Sequence, residues 1–204
     1  MQLSAELRWF WEGQCPDKVS DWFGGPEWTT ASTSEQYRDD YFLMPGNTEV
    51  SCKLRNRSPE DSGESKIKGL IKRFEHNRIE LWGKWQWVPP TQAPRVILHK
   101  ERQLRHFSAF GASYAFRGDE PNDESPDASD AAKQLSDICR IELTRLHVEG
   151  FEGLWWTLGL EAWGDLISAP LTLTRALDRL RPPVSGERLL NYPQFLNDLH
   201  GRRA

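Results

Sequence analysis

What this 204-residue sequence lacks narrows the field first. No apolar run approaches the roughly 20 residues of a membrane-spanning helix. The opening stretch MQLSAELRWFWEG has no basic segment leading into an apolar one, so the chain reads as a cytoplasmic protein with no membrane partner. Cysteine is scarce. Cys15, Cys52 and Cys139 are odd in number, far apart and without a C-x-x-C, so they read as buried or idle thiols. The five histidines, at 76, 99, 106, 147 and 200, show neither H-x-x-x-H nor H-E-x-x-H spacing. G-x-S-x-G, a P-loop and G-x-G-x-x-G are absent too, which leaves serine hydrolases and dinucleotide folds without support. No repeat of fixed period is present.

What is present points to strands. Ten Trp, nine Phe and four Tyr favour broad aromatic packing over a helical bundle. Polar and apolar residues alternate over eight stretches, near 3–11, 36–43, 48–57, 65–74, 77–88, 95–107, 137–148 and 154–163. Turn residues separate several of them, as in Met44-Pro45-Gly46-Asn47 and Val88-Pro89-Pro90-Thr91. After Gly164 the period lengthens, and 170–181 and 186–200 read as helices, with Pro193 kinking or restarting the second. The expected organisation is a barrel over 1–165 and C-terminal helices packed on it over 166–204. Residues 118–130 hold six acids and no base, the composition of a flexible acidic insert.

The net charge of -4 hides where the bases lie. Side chains two apart share a strand face. Ser51, Lys53, Arg55 and Arg57 therefore share one face, as do Lys66 with Lys68, Glu80 with Lys84, and Lys100 with Arg102. Ser4, Glu6 and Arg8 align in the first strand, Arg140, Glu142 and Thr144 in the seventh, and Thr157 with Glu161 in the eighth. An open sheet with one wet face also alternates in this way. Two features favour a closed barrel with a charged interior. Bases and acids are sorted strand by strand, and Trp9, Trp11, Trp85, Trp87 and Trp156 fall on the opposite face, where helices and loops would have to cover them. In such a lumen bases would bind a polyanion, and carboxylates would hold a divalent cation against it.

The layout resembles the CYTH superfamily, the triphosphate tunnel metalloenzymes, over most of residues 3–163. Ser4-Ala5-Glu6-Leu7-Arg8 resembles the family's opening E-x-E-x-K, and Arg38-Asp39-Asp40-Tyr41-Phe42 its second strand. Lys53-Leu54-Arg55, Lys66-Ile67-Lys68 and Lys100-Glu101-Arg102 are similar to its basic strands, and Ile141-Glu142-Leu143 and Leu160-Glu161-Ala162 to its late acidic ones. The resemblance implies an α+β, mainly β fold: an eight-stranded antiparallel closed barrel with C-terminal helices. It implies phosphate binding by Arg8, Lys53, Arg55, Lys66, Lys68, Lys100 and Arg102. It also implies a catalytic Mg2+ or Mn2+ on Glu6, Glu142 and Glu161, with hydrolysis of a triphosphate, nucleotide or polyphosphate. Two departures weaken the metal site: Ser4 replaces the first acid of the opening motif, and Gly159-Leu160-Glu161 carries one acid where some members have two.

Two further classes stay open. One is phosphate or nucleic-acid binding without chemistry, for which Lys84-Trp85-Gln86-Trp87 would supply a stacking platform, although a pI of about 5.8 disfavours a broad basic surface. The other is a protein-interaction domain that uses the acidic insert and exposed Trp residues.

Overall fold

The computed structural model describes residues 1–25, 28, 32–57, 63–86, 88, 95–108, 138–184 and 188–202. The acidic stretch 118–130, Trp87 and Pro89-Pro90 lie outside these residues. Eight strands follow the alternation: β1 (Gln2–Glu12), β2 (Thr33–Phe42), β3 (Val50–Asn56), β4 (Glu64–Phe74), β5 (Ile79–Trp85), β6 (Arg95–Ser108), β7 (Ile138–Val148) and β8 (Trp155–Gly164). Helix α1 (Asp17–Gly24) lies between β1 and β2. Helix α2 (Ser168–Leu180), a two-residue strand β9 (Arg188–Leu189) and helix α3 (Tyr192–Gly201) end the chain. The strands pair antiparallel in the order β5-β4-β3-β2-β6-β7-β8-β1, and β1 returns to β5. The sheet is a closed barrel.

Alternation sends apolar side chains to two separate cores. The first lies outside the barrel wall. Ala5 and Leu7 of β1, Ile141 and Leu143 of β7, and Leu158 and Leu160 of β8 face outward. Val19 and Phe23 of α1 and Ala169, Leu173 and Ala176 of α2 cover them. Trp9, Trp11 and Trp156 pack at the margin of this layer, whereas Trp85 stays 43% exposed. The second core lies inside one end of the barrel, where Phe10, Tyr41, Leu98, Leu146, Val148 and Trp155 meet Phe195, Leu196 and Leu199 of α3. Phe10 shares its strand face with Glu6 and Arg8, so α3 is a stopper in the lumen and not a cover on the wall.

The start of α3 differs from the helical pattern expected over 186–200. Pro193 lacks an N–H and has a fixed φ, so it suits a first helical turn and not a helix interior. Asn191 caps that turn: its side chain accepts from Gln194 N at 2.9 Å, and the Gln194 side chain accepts from Asn191 N at 2.9 Å. Upstream, Arg188–Leu189 is extended because an edge needs it. β5 accompanies β1 only along Gln2–Glu6, and β9 pairs with Trp9 and Phe10 beyond that point. Leu190 N adds a bond to Arg8 O at 3.0 Å, so the bare half of the β1 edge is covered.

The stopper is held chiefly by apolar contact. Phe195 is 2% exposed and stacks on Phe10 with ring centroids 4.4 Å apart. Phe195→Ala is expected to lower stability by about 3–5 kcal/mol, read as a lower urea midpoint at unchanged slope.

Candidate functional site

Between the α3 stopper and the far rim, the barrel encloses a cavity of about 540 Å³. All ten residues singled out from the sequence line it: Glu6, Arg8, Lys53, Arg55, Lys66, Lys68, Lys100, Arg102, Glu142 and Glu161. Arg57, Lys84 and Arg140 add three more bases, and Glu35, Glu64 and Glu80 three more carboxylates. Asp39, wholly buried, sits behind them. Among the described residues, ten bases against seven carboxylates give the chamber a formal excess of three positive charges, inside a chain whose formal net charge is -4.

Asp39 organises one wall. On β2 the alternation Tyr37, Asp39, Tyr41 points inward, and the Asp39 carboxylate accepts from Lys53 Nζ at 2.8 Å and from Arg55 Nε at 2.9 Å. Lys100 Nζ lies 2.9 Å from it. Burial pushes the Asp39 carboxyl up, but Arg55, Lys100 and Lys53 outweigh burial and hold it well below the usual range. The lysines carry the converse strain. Burial pushes Lys53 well below the usual ammonium value, and the neighbouring Arg55 pushes the same way. Burial lowers Lys100 as well. Tyrosine faces supply partial compensation: Arg55 lies 4.1 Å from the Tyr37 centroid and Lys100 3.7 Å from that of Tyr192. Asp39 was not among the residues singled out from the sequence.

The opposite wall holds the three predicted carboxylates. Glu142 accepts from Arg8 at 2.7 Å and from Arg102 at 3.0 Å, with Arg140 Nε at 3.2 Å. Glu161 is bonded by Lys84 and by Arg140, with Lys68 at 3.8 Å. Glu6 accepts from Ser4 at 2.6 Å and from Lys68 at 2.6 Å. Burial raises Glu142 and Glu161, but their basic partners hold both well below the carboxylate range. Lys66 stands apart near the rim, paired with Glu64 at 2.8 Å. Lys84 lines the chamber, whereas Trp85 points to the other side of the wall.

No protein-family model matches the sequence, and no curated protein is similar to it. Solved structures are similar in fold. The RNA triphosphatase Pct1 of S. pombe, determined in complex with the Spt5 CTD, superposes with a TM-score of 0.51 at 11% identity, covering 90% of this chain and 86% of its own. The PH1819 protein from Pyrococcus horikoshii OT3 gives 0.50 at 14% identity, covering 98% and 99%. This chain shares their fold, a closed antiparallel barrel around a tunnel. Here the tunnel is stoppered at one end by α3.

The tunnel residues do not fit the divalent cation that the resemblance implies. Among the described residues, no three of the His, Cys, Asp and Glu side chains converge in a group able to hold a metal ion. Glu6, Glu142 and Glu161 do reach the lumen, but both oxygens of Glu142 and Glu161 and Oε1 of Glu6 are held by Lys and Arg. Gly159 is bare for a reason: a Cβ there would lie 2.4 Å from the Arg8 guanidinium on its way to Glu142.

Asp39→Asn leaves three buried cations without their shared counter-charge, and a loss of about 3–5 kcal/mol is expected in thermal or urea denaturation. A second expectation concerns pH. The lowered carboxyls of Asp39, Glu142 and Glu161 contribute stability above their unfolded values near 4 that is lost as pH falls further. His106 acts earlier: burial, then Arg140 and Arg102, push it down from 6.5 to about 4. Between those values the unfolded chain binds a proton that the folded chain refuses, so stability falls with falling pH. A melting-temperature series from pH 7 to pH 4 should show this slope, and His106→Gln should flatten it.

Proposed function

We propose that the chamber binds the phosphate chain of a small molecule: inorganic triphosphate, a nucleotide or a short polyphosphate. The observation that carries this reading is the excess of positive charge enclosed by a barrel to which every strand contributes a charged inward side chain. Cations gathered in a partly dry space repel one another, and seven carboxylates relieve only part of that repulsion. A polyanion would complete the neutralisation. Arg55 of β3 and Arg102 of β6, rigid forks on either side of β2, suit phosphate oxygens on two sides of a chain. Lys53 and Lys100 add point charges near the stopper, and Arg8, Lys66 and Lys68 extend the basic lining.

Hydrolysis is the second reading. It is favoured by the fold shared with a protein named as an RNA triphosphatase, with Glu6, Glu142 and Glu161 as its catalytic groups. The site geometry supports it less. A carboxylate held far below its usual range by two or three cations is a weak proton acceptor at neutral pH. Nucleic acid is disfavoured as a body of bases and sugars, since the charge lies inside the barrel and the exposed Trp85 stands on the other side of the wall.

Thermal denaturation with inorganic triphosphate tests the first reading. At about 100 times the dissociation constant the ligand should add roughly 2.7 kcal/mol of stability, and orthophosphate far less. Arg55→Ala and Arg102→Ala should each reduce the shift. No stabilisation by any phosphate compound would sink the proposal, and release of phosphate from triphosphate with Mg2+ or Mn2+ would establish the second reading.

A further inference from the structure

We infer that Lys68 and Lys84 stand in the place of a divalent cation between Glu6 and Glu161, so that the chamber takes its polyphosphate ligand without a metal and meets it with ammonium groups. This rests on the phosphate-binding reading above.

The strand register brings the four groups together. Glu6 faces Glu161 across the β1–β8 pair, and Lys68 faces Lys84 across the β4–β5 pair. Like charges directly opposed on adjacent strands are unfavourable by themselves. Each pair is tolerated here because the other neutralises it. Lys68 Nζ lies 2.6 Å from Glu6 Oε1 and 3.8 Å from Glu161 Oε1. Lys84 Nζ lies 3.5 Å from Glu6 Oε1 and is bonded to Glu161 Oε1. Two ammonium groups thus share the same two oxygens, and together they carry the charge of one divalent ion.

The surroundings are built for this arrangement and leave little for a metal. The second oxygen of Glu161 is held by Arg140, and Glu142 lies among Arg8, Arg102 and Arg140. Two positions on the inward faces of β1 and β8 could have supplied further acids. Ser4 instead donates to Glu6, and Gly159 gives up its space to Arg8. A cation entering between Glu6 and Glu161 would have to expel two ammonium groups from Glu6 Oε1 and Glu161 Oε1, and among the described residues no third acid completes a group able to hold it.

The lysines have capacity to spare for a ligand. Each ammonium carries three donors, and one of each is bonded to a carboxylate, Lys68 to Glu6 and Lys84 to Glu161. Donors remain for a phosphate oxygen. Lys84 and Arg140 also lie over Trp163, at 5.5 and 4.6 Å from its ring centroid, which fixes their approach. Lys84 and Arg140 therefore join the ligand-binding set.

The full-length chain should be titrated with inorganic triphosphate by calorimetry, once in EDTA and once in Mn2+, and with Mn2+ alone followed by its electron paramagnetic resonance signal. The expected result is triphosphate affinity equal within about threefold in the two buffers and no bound Mn2+ at millimolar concentration. Lys68→Met/Lys84→Met should weaken triphosphate at least tenfold in EDTA and gain one Mn2+ per chain, with Lys84→Gln as a milder variant should the double one fail to fold. Triphosphate bound only in Mn2+, or Mn2+ held tightly by the unaltered chain, would overturn the inference and leave the proposed function standing. Triphosphate bound in neither buffer would overturn the proposed function, and the Mn2+ titrations would still decide whether the lysines hold the cation's place.

Discussion

Asp39 shows in miniature what the whole interior depends on. A carboxylate removed from water keeps its charge only where several cations face it, and cations removed from water keep theirs only where carboxylates or aromatic faces are near. Lys53, Arg55 and Lys100 converge on Asp39, Arg8, Arg102 and Arg140 on Glu142, and Lys68, Lys84 and Arg140 on Glu161. Breaking such a group strands charge in a medium that cannot solvate it. The barrel is therefore held in register by its polar interior as well as by its hydrogen-bonded ladders, because a strand slipped by one residue would turn its own share of these side chains outward.

This interior leaves the ordinary hydrophobic work to be done elsewhere. One core lies outside the wall, where α1 and α2 cover β1, β7 and β8. The other fills the end of the lumen with α3. The stopper also bounds the chamber: Tyr192 presents its ring to Lys100 and Arg8, and Asn191 reaches Glu80 and Thr48. Packing and site are coupled through that one helix start. The excess charge left in the chamber is what the proposed polyanion would neutralise, and the occupation of its carboxylates leaves a metal little to bind.

Alternation made most of this legible before any coordinates. In Lys53-Leu54-Arg55 and Lys100-Glu101-Arg102 the inward pair is separated by a residue that must face the other way, so lumen and wall could be assigned from sequence. The same rule sorted Glu142 from Leu143 and Glu161 from Leu160. It did not single out Asp39, since an acid between two tyrosines looks like any wet strand position until three bases from other strands are seen to meet it. Nor could alternation separate a free carboxylate from one already claimed by lysine: Glu6 and Glu161 looked like metal ligands because the partners that occupy them lie 62 and 77 residues away in the chain. Residues 188–191 looked helical because Leu189 and Leu190 fit a helical period, whereas the bare edge of β1 draws Arg188 and Leu189 into an extended conformation.

The sequence by itself determined the faces: a period of two decides which side chains share a side of the wall, and that is a local property of the backbone. Only the tertiary structure decided which charges meet, because ion pairing depends on strand order and register, and these bring β1 against both β8 and β5 to close the ring. It also decided that α3 enters the lumen, since an amphipathic helix carries no record of which apolar surface will receive it. Whether the carboxylates face a metal or a pair of ammonium groups is settled by a few ångströms between side chains on different strands, a distance no single strand encodes.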